Sequence, residues 1–165
     1  MTLLHPEPLT REAFAPFGTV IETEGAEIIP INQGTTERFH ALAELDVAAA
    51  GGRPILSLFR AQPRPVPIRL EIMERHPLGS QAFVPLAPRP WLVVVSAAEV
   101  PTPDDLRAFL ARGDQGVQYA RNVWHHPLLV LDEAQDFLVA DRLADDDNLE
   151  EHWFPDDTHA LLDVT

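Results

Sequence analysis

Two short segments of the sequence carry most of the side chains that could perform chemistry, and the first surrounds His76. Glu74 and His76 are two residues apart, so on a β-strand both side chains point to the same face. A carboxylate beside an imidazole on one wall suits acid–base catalysis or metal binding. Gln81 follows a predicted turn at Gly79-Ser80 and could return to that wall. The alternative is a solvated Glu-Arg-His rim before Pro77, which the spacing alone slightly favours.

The second segment contains the adjacent histidines His125 and His126. Adjacent residues on a regular strand face opposite sides, so at most one of the two enters a barrel interior. Pro127 restricts His126 to an extended conformation. Trp124 is interpreted as a lid over a site or as plain core. Arg121 could hold a carboxylate through two parallel hydrogen bonds, or could be a solvated strand charge.

The absence of two residue types narrows the chemistry. The chain has no cysteine and no lysine, which excludes thiol catalysis, thiolate-bound zinc and Schiff-base formation. Its three serines, Ser57, Ser80 and Ser96, lie outside any G-x-S-x-G elbow, so a serine hydrolase is not expected. The groups left for catalysis are imidazole, carboxylate, guanidinium and a metal ion bound by such groups.

Charge is unevenly distributed along the chain. The formal net charge is −14, and residues 132–165 contain twelve carboxylates and one arginine. An acidic balance argues against nucleic acid and anionic membranes as partners. The residues from about 145 onward are interpreted as an acidic tail that aids solubility, ordered only where Trp153 and Phe154 dock. The N-terminal residues show no signal peptide, so we expect a cytoplasmic protein.

Sixteen prolines favour short strands separated by turns. Two short helices are predicted, one over residues 11–17 after the N-cap Thr10, and one over residues 104–112 ending at Gly113. The remaining elements are predicted as strands, with the last two forming a hairpin: 19–21, 27–31, 54–60, 66–75, 81–85, 91–96, 116–122, 127–132 and 135–141. Many short strands at regular spacing indicate a single all-β domain over residues 1–165, a sandwich or small barrel.

Both polar segments resemble one known family. Residues 74–85 (ERHPLGSQAFVP) and 116–127 (GVQYARNVWHHP) closely resemble bacterial ureidoglycolate lyases, and shorter matches extend the likeness over roughly residues 9–142. The resemblance implies a cupin-type double-stranded β-helix (jelly-roll) barrel with a few short helices, and a homodimer. It also implies a lyase that cleaves (S)-ureidoglycolate to glyoxylate and urea during allantoin degradation, with a divalent metal, nickel being the ion associated with the family.

Cupins usually offer two histidines spaced H-x-H and then a glutamate, followed by a later histidine. This chain has Glu74-x-His76 instead, with Gln81 near the glutamate position, and His125 or His126 in place of the later histidine. No complete four-ligand set is evident, so a weaker metal site is expected, with His76 and His126 as ligands.

The resulting hypothesis gives each residue of the two segments a role. His76 or His126 acts as base or metal ligand with Glu74 as its partner, and Arg75 or Arg121 holds the substrate carboxylate. Further substrate contacts are assigned to Gln81, Trp124 and His125.

Three other functions are compatible with the sequence. An amidohydrolase acting on ureidoglycolate would release ammonia rather than urea. A non-catalytic cupin that binds small acids would bind glyoxylate without turning over ureidoglycolate. A structural dimer module is the third, and the polar density of the two segments disfavours it.

Overall fold

The computed structural model of the chain describes residues 1–165 and consists almost entirely of short strands. One α-helix, α1 (Arg11–Phe14), and three 3₁₀ segments (Asn32–Gly34, Ala49–Gly51 and Pro103–Asp105) accompany them. The strands in chain order are β1 (Thr2–Leu4), β2 (Glu7–Pro8), β3 (Gly18–Ile21), β4 (Glu27–Ile31), β5 (Thr36–His40), β6 (Arg53–Ala61), β7 (Ile68–Leu70), β8 (Ile72–Arg75), β9 (Gln81–Pro85), β10 (Trp91–Ser96), β11 (Arg107–Ala111), β12 (Gly116–Tyr119), β13 (Trp124–His125), β14 (Leu129–Val130), β15 (Gln135–Leu143), β16 (Glu150–Trp153) and β17 (Ala160–Leu162).

Two large sheets form the body of the fold. A seven-stranded sheet has the order β16-β8-β13-β10-β11-β2, with β14 also pairing to β10, and a five-stranded sheet has the order β3-β12-β9-β15-β6. The β8–β9 ribbon passes from one sheet to the other and pairs antiparallel with β13 in the first and β12 in the second. The segments β8–β9 and β12–β13 thus form one two-stranded antiparallel ribbon that winds through both sheets, as in a double-stranded β-helix, so the predicted mainly β, jelly-roll architecture is confirmed.

Two hydrophobic clusters lie on opposite sides of the seven-stranded sheet. Residues of β10 alternate between them: Trp91 and Val93 join the cluster against the five-stranded sheet, and Leu92 and Val94 join the cluster against β1, β7 and β17. A strand covered on both faces has no solvent side, which explains the unbroken apolar run of β10. This strand, β4 and β9 have the bounds that the sequence predicts.

The first predicted helix is present but shorter than expected. The Thr10 hydroxyl caps it by accepting a hydrogen bond from the Ala13 backbone N–H at 3.2 Å, and the helix ends at Phe14. The second predicted helix, residues 104–112, is wrong. After a 3₁₀ turn with a Thr102–Asp105 capping box, the chain extends into β11 between β10 and β2. Ala108 and Phe109 bury themselves in opposite hydrophobic clusters, which only an extended strand allows for consecutive residues.

The predicted hairpin of residues 127–132 and 135–141 is also wrong, because its two strands belong to different sheets. β14 pairs with β10, whereas β15 pairs with β6 and β9. The predicted strand over residues 66–75 is interrupted at Glu71, whose carbonyl accepts a hydrogen bond from the Phe154 backbone N–H at 2.9 Å. Met73 is buried in the same cluster as Ile68 and Leu70, although the alternation of one unbroken strand would place it on the opposite face.

The acidic C-terminal segment is folded into the body rather than forming a loose tail. β16 pairs with β8, and β17 lies between β1 and β7. Of the two aromatic residues expected to dock, Phe154 is buried and Trp153 remains 62% exposed. The apolar residues Phe154, Ala160 and Leu162 complete the second cluster, which offsets the local density of carboxylates. The structure contains no helix with the length and hydropathy needed to cross a bilayer.

Candidate active site

Two paired strands bring the two polar segments together. β13 pairs with β8 so that His125 lies opposite Glu74. The distance from His125 Nδ1 to Glu74 Oε1 is 3.9 Å, and the His76 and His125 ring centroids are 5.4 Å apart. Potential ligand atoms of Glu74, His76 and His125 all lie within 4.8 Å of one another. The shared face of Glu74 and His76, predicted from their spacing, is therefore present in the structure.

His125 is held by packing. It is 1% exposed and stacks on Tyr119 with ring centroids 4.0 Å apart and planes 5° from parallel. Burial, assisted by the nearby charge of His76, lowers the pKa of the His125 imidazole to about 3. Nδ1 donates to the His126 carbonyl oxygen at 3.3 Å, which leaves the buried Nε2 without a partner.

His76 is held by polar contacts on both sides of its ring. Nδ1 donates to the Asn148 carbonyl oxygen at 2.8 Å, and Nε2 lies 3.1 Å from Gln81 Oε1. The Gln81 amide is oriented by Asp141, which accepts a hydrogen bond from Gln81 Nε2 at 3.1 Å. Asn148 also accepts from the Leu78 backbone N–H through its side-chain oxygen at 2.7 Å. Both ring nitrogens of His76 therefore lie within hydrogen-bond distance of an oxygen atom.

Glu74 lies between these histidines and an open cavity. Burial raises the pKa of its carboxyl above the ordinary value, against the charge of His76, which lowers it. The cavity has a volume of about 440 Å³, large enough for a small organic acid. Glu74 lines it together with Phe59, Gln62, Arg64 and Phe83.

His126 lies outside the three-residue cluster. It is 2% exposed, its Nδ1 donates to the Pro127 carbonyl oxygen at 2.7 Å, and its Nε2 is buried without a partner. Burial is the main reason that the pKa of its imidazole falls to about 4. His126, expected from the sequence as a metal ligand together with His76, is thus not a member of the cluster, and His125 is the histidine that joins Glu74 and His76.

Three residues predicted to bind substrate, Arg75, Trp124 and Arg121, contact other side chains of the protein. Arg75 follows Glu74 on β8 and points to the other face, where its guanidinium lies 4.4 Å from the Trp124 ring centroid and donates to Glu150 at 2.7 Å. Trp124 is buried in the second hydrophobic cluster. Arg121 forms a bidentate pair with Asp46 at 3.1 and 2.6 Å. These engagements leave the two guanidinium groups less free to hold an anion.

Sequence reasoning missed four residues that surround the cluster. Tyr119 lies within the second polar segment. It stacks on His125 because of strand pairing that could not be predicted from the sequence. Asn148, Asp141 and Arg64 come from the C-terminal segment, β15 and the β6–β7 connection. No local pattern marks these three, because they reach the site only through long-range contacts.

The donor set of the cluster fits a divalent transition ion. Imidazole and carboxylate suit zinc, iron, nickel and copper alike, and the buried, unpartnered Nε2 of His125 is an available ligand atom. Binding through Nε2 of His76 would replace its contact with Gln81.

Among solved structures, the chain is similar to a 3,4-ketoisomerase from Helicobacter canadensis, with a TM-score of 0.45 and 10% identity over 80% of this chain and 88% of that one. It is also similar to a dTDP sugar isomerase from Desulfovibrio desulfuricans, with a TM-score of 0.45 and 17% identity over 86% and 87% of the two chains.

Sequence relatives are much closer. A ureidoglycolate lyase from Burkholderia mallei is 57% identical over 99% of both chains, and one from Brucella anthropi is 57% identical over 94% of this chain and 92% of its own length. One from Brucella melitensis is 58% identical over 91% and 89%. The family model for ureidoglycolate lyase matches residues 1–161. This chain belongs to the ureidoglycolate lyase family.

Proposed function

We propose that this chain is an enzyme that cleaves (S)-ureidoglycolate to glyoxylate and urea in the degradation of allantoin. The observation that carries the proposal is 57% identity to a ureidoglycolate lyase along 99% of both chains. The cluster of Glu74, His76 and His125 beside a cavity supports it, because these groups can move protons next to a small bound acid.

The reaction requires one proton to move between two atoms of the substrate. The hydroxyl on the central carbon loses its proton, its oxygen forms the C=O bond of glyoxylate, and the C–N bond breaks. The departing urea nitrogen then gains a proton. A single carboxyl group placed near that carbon can accept the first proton and return it to the nitrogen.

Glu74 is the member of the cluster that lines the cavity, and we assign it this role. His76 and His125 lie behind it and orient its carboxylate through charge and contact. His126, expected from the sequence as an alternative base, stays in the proposal only as a neutral neighbour of the cavity. Gln81 acts by positioning His76.

We also propose that Glu74, His76 and His125 hold a divalent metal ion, with nickel the ion that the resemblance implies. A bound ion would supply Lewis-acid stabilisation of the oxygen that becomes the aldehyde. Elemental analysis of the purified protein, compared with the His125→Ala variant, tests the ligand set. Equal metal content in the two proteins would contradict it.

A homodimer is proposed from an exposed apolar face on the five-stranded sheet. Leu58, Leu138 and Val84 are aligned across β6, β15 and β9, and all three side chains are at least 36% exposed. Such a face marks an interaction surface, and a second copy is the partner that the resemblance implies. Sedimentation of Leu58→Glu should show a monomer, whereas Val100→Glu in an exposed loop should leave the dimer intact. The single-domain organisation and the cytoplasmic location stay predictions.

The decisive experiment is turnover of ureidoglycolate by the purified protein, with glyoxylate, urea and ammonia measured together. Equal amounts of glyoxylate and urea are expected; ammonia in place of urea would indicate the amidohydrolase. Binding of glyoxylate without turnover would indicate a binding module. Glu74→Gln should lower kcat by roughly 10²–10⁴-fold. Glu71→Gln, a matched change at an exposed glutamate paired with Arg69, should have little effect.

A further inference from the structure

Arg64 occupies a distinctive place at the cavity. It lies in the connection between β6 and β7 and lines the same cavity as Glu74. Its charge is near enough to both Glu74 and His126 to lower the pKa of each. The cavity is thus bordered by one carboxylate, that of Glu74, and by the guanidinium groups of Arg60 and Arg64.

Arg64 is also one of the few arginines without a protein partner. Nine of the twelve arginines form ion pairs or side-chain hydrogen bonds, among them Arg60, which also lines the cavity but is held by Asp136 at 2.8 Å. The others are Arg38, Arg53 and Arg64. Arg38 lies on β5, in the separate β4–β5 hairpin, and Arg53 lines a different cavity with Asp145 and Asp146.

The charges of Arg64 and Glu74 do not neutralise each other through a direct ion pair. Arg64 and Glu74 form no ion pair within 4.0 Å, although both face the same space. A guanidinium left unpaired beside an acidic group has a strong remaining capacity for an anion, and its planar donor pair matches a carboxylate. A small molecule with a carboxylate at one end and proton-exchanging groups at the other fits between them.

We propose that Arg64 binds the carboxylate of the substrate and so determines the selectivity of the site for small anionic acids over their neutral amides. This inference rests on the proposed function. A carboxylate held at Arg64 directs the attached carbinol carbon toward Glu74, where the hydroxyl proton is removed. The assignment replaces Arg75 and Arg121, whose guanidinium groups are held by Glu150 and Asp46.

The test compares Arg64→Gln, Arg64→Lys and the control Arg53→Gln by steady-state glyoxylate release from ureidoglycolate. Loss of a bidentate charge-assisted contact should raise KM about 10- to 100-fold in Arg64→Gln. Arg64→Lys should fall between this variant and the wild type, because it keeps the charge but loses the planar fork. Arg53→Gln should stay within about twofold of the wild type. An unchanged KM in Arg64→Gln overturns the assignment.

Product inhibition gives a second readout that a general disturbance of the site would not reproduce. Arg64→Gln should weaken inhibition by glyoxylate about 10-fold or more and leave inhibition by urea unchanged, because only glyoxylate carries a carboxylate. Equal weakening for both products would contradict a role in carboxylate binding. If the wild-type protein itself releases no glyoxylate, the proposed function fails, which is a different outcome from an Arg64→Gln variant as active as the wild type.

Discussion

The two sides of the candidate site are held in place by different forces. On the packed side, His125 is enclosed by the core and stacked on Tyr119. On the polar side, the ring nitrogens of His76 contact the Asn148 carbonyl oxygen and Gln81 Oε1, and Asp141 accepts a hydrogen bond from Gln81 Nε2. The packed side has a buried ring nitrogen without a partner, whereas both nitrogens of His76 have one.

This difference shows that one fold can hold two neighbouring histidines in two ways, His125 by packing and His76 by hydrogen bonds. Packing keeps the His125 ring in place but does not use its Nε2, so that nitrogen remains available to a ligand. Hydrogen bonds fix orientation and proton placement, but each depends on a single partner. Disturbing the packed side should therefore affect folding and activity together, and disturbing the polar side should affect mainly activity.

The largest effect is expected from His125→Ala. Loss of the ring leaves a cavity beside Tyr119 and removes one member of the cluster, so kcat/KM should fall at least about 100-fold. The free energy of unfolding should fall by about 2–3 kcal/mol. His5→Ala, at a 67% exposed histidine, is the matched control for both measurements. A His125→Ala variant with wild-type stability and activity would show that the packed His125 ring is needed neither for folding nor for the reaction.

Acid should destabilise the packed side selectively in the metal-free protein. The pKa values of His125 and His126 in the fold are about 3 and 4, below the ordinary 6.5, so folding favours their neutral forms. This stabilisation is present above pH 6.5 and is lost as the pH falls toward those values, roughly 2 kcal/mol per histidine by pH 5. Guanidinium denaturation between pH 7 and 5 should show a smaller loss for His126→Gln. The same slope in both proteins would refute the buried-histidine explanation.

A smaller effect is expected from Asn148→Ala on the polar side. The change removes the acceptor of the Leu78 backbone N–H and loosens the carbonyl that holds His76. Stability should fall by about 1–2 kcal/mol, and kcat should fall several-fold more than the stability change explains. Asp147→Ala alters the neighbouring residue without removing a side-chain hydrogen bond. If Asn148→Ala and Asp147→Ala have equal effects, the segment around Asn148 contributes to stability alone and does not position His76.

The smallest effect is expected at Asp141, two contacts away from His76. Asp141→Ala frees the Gln81 amide to rotate and should lower kcat about two- to fivefold with little change in thermal stability. Asp141→Asn keeps an oxygen that accepts from Gln81 Nε2, so it should restore most of the activity. If the two variants are equally impaired, the negative charge of Asp141 matters rather than its orientation of Gln81.

Much of the fold could be predicted because its signals are local. The bounds of β9 and β10 were predicted correctly, that of β10 from its apolar run, and Thr10 marked a real helix start. The helix expected over residues 104–112 failed because a capping box and a helix-compatible composition were overridden by pairing with β10 and β2. The C-terminal strands were missed because their acidic residues hid the few apolar side chains that bury themselves.

The candidate site was predictable to a similar extent. The two-residue spacing of Glu74 and His76 placed both on one face, but β13 is only two residues long, too short for a pattern to show which histidine turns toward them. Tyr119, Asn148 and Arg64 reach the site through strand register and connections between distant segments. Only the folded chain brings these contacts together.

The pairing of β1 with β17 has a consequence for how the protein is made. Leu4 lies beside Leu162 in a parallel ladder, so two of the most distant parts of the chain are neighbours. Contacts of such sequence separation form late and slow folding. During synthesis the first strand cannot find its partner until residue 162 has left the ribosome, and the leucines of β1 stay uncovered until then. We expect the nascent chain to be a substrate for chaperones until that ladder closes.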